Sequence, residues 1–432
     1  DFLFRLIKFF FPYFLVILLI FFFRNLPVKI IKFSAVFGFI LIIMCFYREF
    51  ISNFSFSNSV LVFNYEKKTS VNFKINKNKK VMWLLMDEFD PEIAFKRFNE
   101  NSFMNNFKDL QKESIYFDKF YGPARNTINS IPSTLMGIQG YGNYVKNYKY
   151  FLIDEYKNLH ELKYDNTIFG RLNKLGIKSK IKSSLIPYCS AYIKFSKHGE
   201  CLEPNIKVEN QKYDYFSGIK YIYSITTKLK IIKLLFLKEK EKLKKNIETE
   251  LTSDTKKIIN KNLNINYKDI DDLDGHNVIY FSKIKEDLNS NNGLIYYHIN
   301  LPHDPYHFSQ KLFDLKTKKG LPSYLLNLKL SDLVIKRIVD IISEENNEEI
   351  LLIISSDHWY RKKSKIINEY FPTLLLIKQF NDDKGINIKI PTSGIYIQEL
   401  IYKYLTNEIN NHDEIASFFK DTNKKYYKPF IN

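Results

Sequence analysis

The sequence predicts an α/β domain, with a mostly parallel central sheet flanked by helices, preceded by two transmembrane helices. Three observations carry this. Short continuous apolar runs alternate with helical spacings across residues 78–405. Polar clusters rich in Asp, Ser and His follow three of those runs, and two uncharged apolar stretches occupy the first fifty residues. Composition agrees: 45% of the 432 residues are hydrophobic and there are only 14 Gly and 13 Pro. Collagen-like, low-complexity and wholly disordered classes are thereby excluded. The net charge of +18 points to an anionic partner.

Residues 9–23 (FFFPYFLVILLIFFF) are uncharged. Joined to residues 2–7 they reach the roughly 20 residues that a bilayer requires. Residues 33–47 form a second, shorter run, which extends backward only if Lys29 and Lys32 snorkel to the interface. Two runs without a small-residue cleavage site do not read as a signal peptide. Arg24, Lys29 and Lys32 between them place the loop in the cytoplasm by the positive-inside rule. Everything after Arg48 is then expected on the far side of a bacterial cytoplasmic (inner) membrane. That compartment excludes nucleic acid as the partner. The chain begins with Asp, so residues 1–48 are read as the end of a longer membrane domain. Residues 49–77 are read as a linker and residues 78–420 as the exported domain. An oxidising compartment makes Cys189 and Cys201 an expected disulfide.

Within the exported domain, strands are expected at residues 80–86 (KVMWLLM), 177–181, 293–299 (GLIYYHI), 349–354 (EILLII) and 373–377. Continuous apolar strands are buried on both faces, as in parallel sheets. Helical spacing at 168–175, closed by Gly176, and at 328–342 and 395–405 supplies the covering layers. Residues 205–290 are rich in Lys and Asn and form an expected helical insertion. Inside it, residues 221–245 place Ile225, Leu229, Ile232 and Phe236 on one stripe with lysines between. Such a helix either lies on an anionic membrane surface or packs on its own domain.

Ligands in open α/β sheets sit beyond the carboxyl ends of strands, and the polar clusters fall there. Asp87-Glu88 follows the first strand, offering carboxylates to a hard or borderline cation. Asp357-His358 follows the fourth and makes a metal-ligand pair. His298, His303 and His307 lie within ten residues at the end of a third. Between them runs Arg125-Asn126-Thr127-Ile-Asn-Ser130-Ile-Pro132-Ser133-Thr134-Leu135-Met-Gly137. A hydroxyl at a helix N-terminus there would meet free backbone N–H groups suited to an oxyanion.

In this order the clusters resemble the alkaline phosphatase/sulfatase superfamily, across roughly residues 78–405. Asp87 matches its strand-end metal-binding acid, and Glu88 stands where sulfatases carry a second one. Thr127 lies ten residues before Gly137, with Leu135 two before it, as the nucleophile of that superfamily does. Thr127-Ile-Asn-Ser130-Ile-Pro132 is similar to the Thr-x-x-Ser-x-Pro of phosphoethanolamine transferases. Ser356-Asp357-His358 and Pro302-His303-Asp304-Pro305-Tyr306 match two further signatures. The resemblance implies an alkaline-phosphatase-like fold and one divalent ion (Mn, Zn or Ca) on Asp87, Thr127, Asp357 and His358. Glu88 is an additional candidate ligand. It also implies Thr127 as nucleophile and His303 against substrate or leaving group. Arg125, Asn126, His298 and Arg361 are candidates for binding substrate.

The departures narrow the function. Thr127 replaces the cysteine that sulfatases convert to formylglycine, and neither Pro-Ser-Arg nor Gly-Lys-Trp-His is present. Phe308 occupies the place of the His that would complete a second metal site. Trp359 follows Ser-Asp-His where glycine is usual. What remains resembles membrane-anchored phosphoglycerol and phosphoethanolamine transferases, implying a membrane phospholipid donor and a glycan or lipid acceptor. The alternatives are a sulfatase-like hydrolase or phosphodiesterase of the same fold, and an inactive membrane-anchored binding module. The intact Asp87, Thr127, Asp357 and His358 set argues against the latter.

Overall fold

The computed structural model describes residues 79–97, 103–146, 149–183, 188, 200–202, 281–303, 321–345, 349–361 and 370–426, and the isolated Gly38. The chain divides into two units, Asp1–Glu66 and Lys67–Asn432. The two apolar runs, the linker, the helix expected at 221–245, Cys189 and the stretch from Asp304 to Phe308 lie outside the described residues. Among the described residues no helix is long and apolar enough to cross a membrane. Cys201 is disulfide-bonded.

The strands in chain order are β1 (Lys80–Asp87), β2 (Ile115–Phe117), β3 (Phe120–Tyr121), β4 (Gly142–Lys146), β5 (Lys149–Ile153), β6 (Leu159–Glu161) and β7 (Lys178–Ser183). They continue with β8 (Glu200–Leu202), β9 (Asn292–Pro302), β10 (Ile350–Ser356), β11 (Leu375–Gln379), β12 (Ile386–Ile388) and β13 (Thr392–Ser393). The helices are α1 (Asn105–Lys112), α2 (Thr127–Met136), α3 (Ile168–Asn173) and α4 (Phe281–Leu288), then α5 (Leu321–Glu344), α6 (Ile397–Leu405) and α7 (His412–Tyr426).

Eight strands form one sheet in the order β12-β2-β11-β10-β1-β9-β7-β8. All neighbours are parallel except β11, which runs antiparallel to both β10 and β2. The sheet is therefore mostly parallel, as the apolar runs require, with one reversed strand that they do not disclose. A small antiparallel sheet, β4-β5-β6, and the pair β13-β3 stand apart from it.

Alternation along β1 explains the three layers. Met82, Leu84 and Met86 face one core with α1, α4 and α5. Val81, Trp83 and Leu85 face the other with α2, α3, α6 and α7. Both sets are buried, so a run with no polar residue suits a strand sandwiched between helices. Trp83 satisfies its indole N–H on Ser355 Oγ of the neighbouring strand at 2.8 Å. Helix α3 ends as expected, with Gly176 in the left-handed region at φ 76° and Ile177 N bonded back to Leu172 O. In the expected insertion at about 205–290, only residues 281–290, which carry α4, are described.

His412 ties the start of α7 to the sheet edge. Its Nε2 accepts from Gln379 N at 3.1 Å and its Nδ1–H donates to Lys384 O at 2.8 Å. Both nitrogens are thus committed to the neutral ring. Burial lowers the His412 pKa from 6.5, against the opposing pull of Asp382. Because the native value lies below the unfolded one, the unfolded chain binds more protons as pH falls through about 6.5. Stability is therefore expected to be full above that pH and to decline below it. Urea unfolding followed between pH 7.5 and 5 would show the decline. His412→Gln should flatten it, and an unchanged slope would exclude His412 as its source.

Candidate active site

The carboxyl ends of β1, β9 and β10 lie side by side, because β1 pairs with both of the others. Each ends in a functional cluster. Asp87, Asp357 and His358 place one ligand atom each within 4.8 Å of the others, and all three are buried. His358 Nε2 lies 3.6 Å from Asp87 Oδ1 and 3.4 Å from Asp357 Oδ2. The His358 tautomer follows from its neighbour. Nδ1 meets the carbonyl of Trp359 at 2.8 Å, which only accepts, so Nδ1 carries the proton and Nε2 presents a lone pair. Asp357 Oδ1 accepts from Glu88 N at 3.1 Å and His358 N at 2.8 Å. Its Oδ2 is buried and, among the described residues, accepts no hydrogen bond. Two buried carboxylates, one with an oxygen left over, and an imidazole lone pair fit a divalent cation.

Thr127 enters this cluster from α2. Its Oγ1 lies 3.1 Å from His358 Nε2. The helix start is built for that position. Asn126 is the N-cap, in extended conformation, and its side chain accepts from Asn129 N at 3.0 Å. Thr127 is thus the first helical residue, and its hydroxyl is not spent on capping. Pro132 within α2 cannot donate to Ile128 O. Tyr150 of β5 supplies the missing donor, its hydroxyl meeting Ile128 O at 2.5 Å. The small sheet therefore braces the turn that carries Thr127.

Two further devices bind α2 to β10. Ser130 Oγ, fully buried, donates to Asp357 O at 2.6 Å. Gly122, just ahead of the Thr127 loop, packs so tightly that a Cβ there would stand 2.1 Å from the same carbonyl oxygen. Ser133 is likewise occupied, donating to Asn129 O at 2.7 Å and accepting from Gly140 N at 3.2 Å.

Glu88 stands beside the cluster instead of within the three-residue group. Its backbone adopts φ 69°, a strained region for a residue with a Cβ. The strain is held by Glu88 N on Asp357 Oδ1, by Tyr324 Oη donating to Glu88 O at 2.9 Å, and by Phe89 N on Ser356 Oγ at 2.8 Å. The turn sends the Glu88 carboxylate to Arg361. Oε1 accepts from Arg361 N at 2.7 Å and lies 3.4 Å from its Nε. His303 Nε2 lies 3.8 Å from Glu88 Oε2 and contacts the Arg361 guanidinium. That guanidinium only donates, so His303 Nε2 accepts and its ring proton sits on Nδ1. Trp359 and Tyr360 fix the loop. Tyr360 stacks on Tyr324 at 4.1 Å, and Trp359 packs edge-on against Tyr370 at 5.3 Å and Phe371 at 5.9 Å. The bulky residues after Ser-Asp-His are thus buried props that aim Arg361.

Of the other expected residues, His298 is buried with Nε2 4.0 Å from Asp87 Oδ2. Burial pushes its pKa down to about 4. The Arg125 guanidinium lies over the Tyr370 ring, 4.7 Å from its centroid. Gly122 and Ser130 belong to the stretch around Thr127 that the sequence singles out, but their packing on the Asp357 carbonyl is not legible there. Tyr324 carries no local signal, because its partner Glu88 is 236 positions away.

A protein-family model described as Sulfatase matches residues 79–372. No curated protein matches the sequence. Among solved structures, the C-terminal periplasmic domain of EcEptC from Escherichia coli in complex with Zn is 12% identical, at TM-score 0.45. That match covers 78% of this chain and 86% of the other. The lipoteichoic acid synthase LtaP from Listeria monocytogenes is 11% identical at TM-score 0.45, covering 79% and 77%. The phosphonate monoester hydrolase SpPMH from Silicibacter pomeroyi is 12% identical at TM-score 0.45, covering 76% and 73%.

Proposed function

We propose, from the premise that the chain belongs to the Sulfatase family, that it is a membrane-anchored, metal-dependent phosphotransferase. It moves a phospho-headgroup, phosphoethanolamine or phosphoglycerol, from a lipid donor to a surface glycan or lipid through a phospho-threonine intermediate. The chain is an enzyme acting on phospho- or sulfo-esters; transfer of a phosphoryl group is the finer reading. The observation that supports it is the Thr127 hydroxyl, uncommitted to capping and 3.1 Å from His358 Nε2 inside a buried Asp-Asp-His group. A threonine cannot become formylglycine, so on this reading its own oxygen is the nucleophile.

Asp87, Asp357 and His358 would hold the divalent ion, Mn, Zn or Ca, with Thr127 beside them. When bound, the ion lowers the pKa of a hydroxyl and neutralises anionic oxygens. In the first step Thr127 Oγ1, having lost its proton, attacks phosphorus. The bond to the donor alcohol breaks, and that alcohol gains a proton. In the second step an acceptor hydroxyl attacks the same phosphorus, and Thr127 Oγ1 leaves and recovers a proton. In this reading Arg361, which meets Glu88, orients phosphate oxygens, and His303 protonates the leaving alcohol or steadies the developing charge. Attachment to a bacterial cytoplasmic membrane, with the domain on its outer side, rests on the two apolar runs and on the lipid nature of the donor.

Mass spectrometry of lipids and surface glycans from cells with and without the gene tests this. A phospho-headgroup lost from a glycan or lipid, with donor lipid retained, is the expected result. Loss of a sulfate ester turnover, or release of a phosphoester to water with no acceptor modified, would replace transfer by hydrolysis.

A further inference from the structure

We infer that Asn327, a buried amide on α5, is the positioning residue of His303: it fixes the backbone from which that ring meets the leaving group. The leaving-group role of His303 belongs to the phosphoryl reading above, on which this inference rests.

Asn327 is the polar exception in an apolar stretch. It is 1% exposed, and Leu325, Leu326, Leu328 and Leu330 around it are buried too. An unpaired amide in such surroundings carries a desolvation cost that a leucine does not. Its side-chain N–H groups donate to two carbonyls of one turn, Pro302 O at 3.2 Å and His303 O at 2.9 Å. That turn lies where β9 leaves its regular ladder. β1 and β9 pair in step as far as Met86 and Ile299, and the register then jumps so that Asp87 faces Pro302. Asn300 and Leu301 are the residues passed over, and the strand bends there. His303 N next donates to Asp87 O at 3.2 Å. The main chain of His303 is thus held from two sides, by β1 through its N–H and by α5 through its carbonyl.

The same face of α5 reaches the other two strand ends. Tyr324 precedes Asn327 by three positions, close to one helical turn. Its hydroxyl accepts from Asp90 N at 3.0 Å and donates to Glu88 O at 2.9 Å, and its ring stacks on Tyr360. Glu88, His303 and Arg361 come from the ends of β1, β9 and β10 and meet one another. Tyr324 serves the first and third of those ends. The Asn327 side chain is bonded to the second, so altering it moves His303. Thr127 is carried by α2 and stays in place.

The test compares the unaltered full chain with Asn327→Leu, which keeps the volume and removes both donors. Hydrogen exchange at the His303 amide, read without substrate, should be about tenfold faster in the variant, as loss of a buried hydrogen bond predicts. Exchange at the Ser130 amide, bonded to Asn126 O in the first turn of α2, should not change. Turnover is then compared on two phosphodiesters that differ only in leaving group, p-nitrophenol and a simple alcohol. Nitrophenolate departs without a proton, whereas an alkyl alcohol needs one, so only the second depends on a well-placed His303. Asn327→Leu should slow the alkyl ester about tenfold more than the aryl ester. Added to His303→Gln, it should slow the alkyl ester no further. Unchanged exchange at His303, equal slowing of both esters, or additive losses in the double variant would each overturn the inference. Should leucine prevent folding, Asn327→Ser, polar but too short to reach both carbonyls, gives the same comparison. If the unaltered chain turned over neither ester, the proposed function would fall, and exchange at His303 would by itself decide whether Asn327 holds that turn.

Discussion

Thr127→Ala is expected to lower turnover on the order of 10⁶-fold, as when a covalent nucleophile is removed. The chain should otherwise survive the change. Asn126 and not Thr127 caps α2, and alanine at the first helical position is at least as favourable as threonine. Thermal unfolding and metal content should therefore stay close to the parent's. Thr127→Ser, which retains a hydroxyl, should recover a measurable fraction of the activity. Neither Ser130 nor Ser133 can stand in. Ser130 Oγ is fully buried on Asp357 O, and Ser133 Oγ is engaged with Asn129 O and Gly140 N. Near-parental activity in Thr127→Ala would remove the threonine nucleophile from the mechanism. Phosphate trapped on Thr127 after rapid quenching would establish it.

Gly122→Ala should be nearly as damaging through a different route. A methyl group there would meet the Asp357 carbonyl oxygen at 2.1 Å and its carbon at 3.0 Å. Both are backbone atoms, so no side chain can swing aside. Relief requires the end of β10 to shift, and Asp357 and His358 shift with it. A forced displacement in a packed interior costs typically 1–3 kcal/mol. A misplacement of about 1 Å at reacting groups costs on the order of 10²-fold in rate. The expected outcome is a folded chain with reduced bound metal by elemental analysis and turnover down by at least about 10²-fold. Full metal content together with unchanged turnover would show that the close approach is not maintained in solution.

Much of this centre is visible in the sequence because burial writes its own signature. β1 and β10 are apolar throughout since helices cover both faces, and each such run must stop where the chain reaches the sheet's edge. The polar residues just past that stop, Asp87 and Asp357-His358, are the ones that converge. β11 shows where the signature fails. An apolar run reads alike in either direction, so its antiparallel course was invisible, and the strand begins at Leu375 and not at residue 373. β2, β3, β12 and β13 have two or three residues each, too few to display a period. Helix α5 starts seven residues ahead of its clear apolar spacing, because proline is tolerated in a first turn. The hidden part of the site is the part made by contacts across the chain. Tyr324 supports Glu88 from 236 positions away and Ser130 reaches Asp357 over 227, and no local pattern records either pairing.

The proline in α2 sets a limit on how long the reactive geometry persists. A helical turn that closed its own hydrogen bonds could fray and re-form by itself. The turn bearing Thr127 closes Ser130 N on Asn126 O at 2.9 Å, but the Ile128 carbonyl, which Pro132 cannot serve, takes a hydroxyl from the three-stranded sheet, whose Asn143 also donates to Asn129 Oδ1 at 2.6 Å. Small sheets of this kind open more readily than a covered eight-stranded one. On the proposed reading of Thr127 as nucleophile, its alignment is then expected to depend on β4-β5-β6 staying closed. On that reading, reactivity is lost by a fluctuation that leaves the main sheet, and the buried Asp87, Asp357 and His358 at its strand ends, undisturbed.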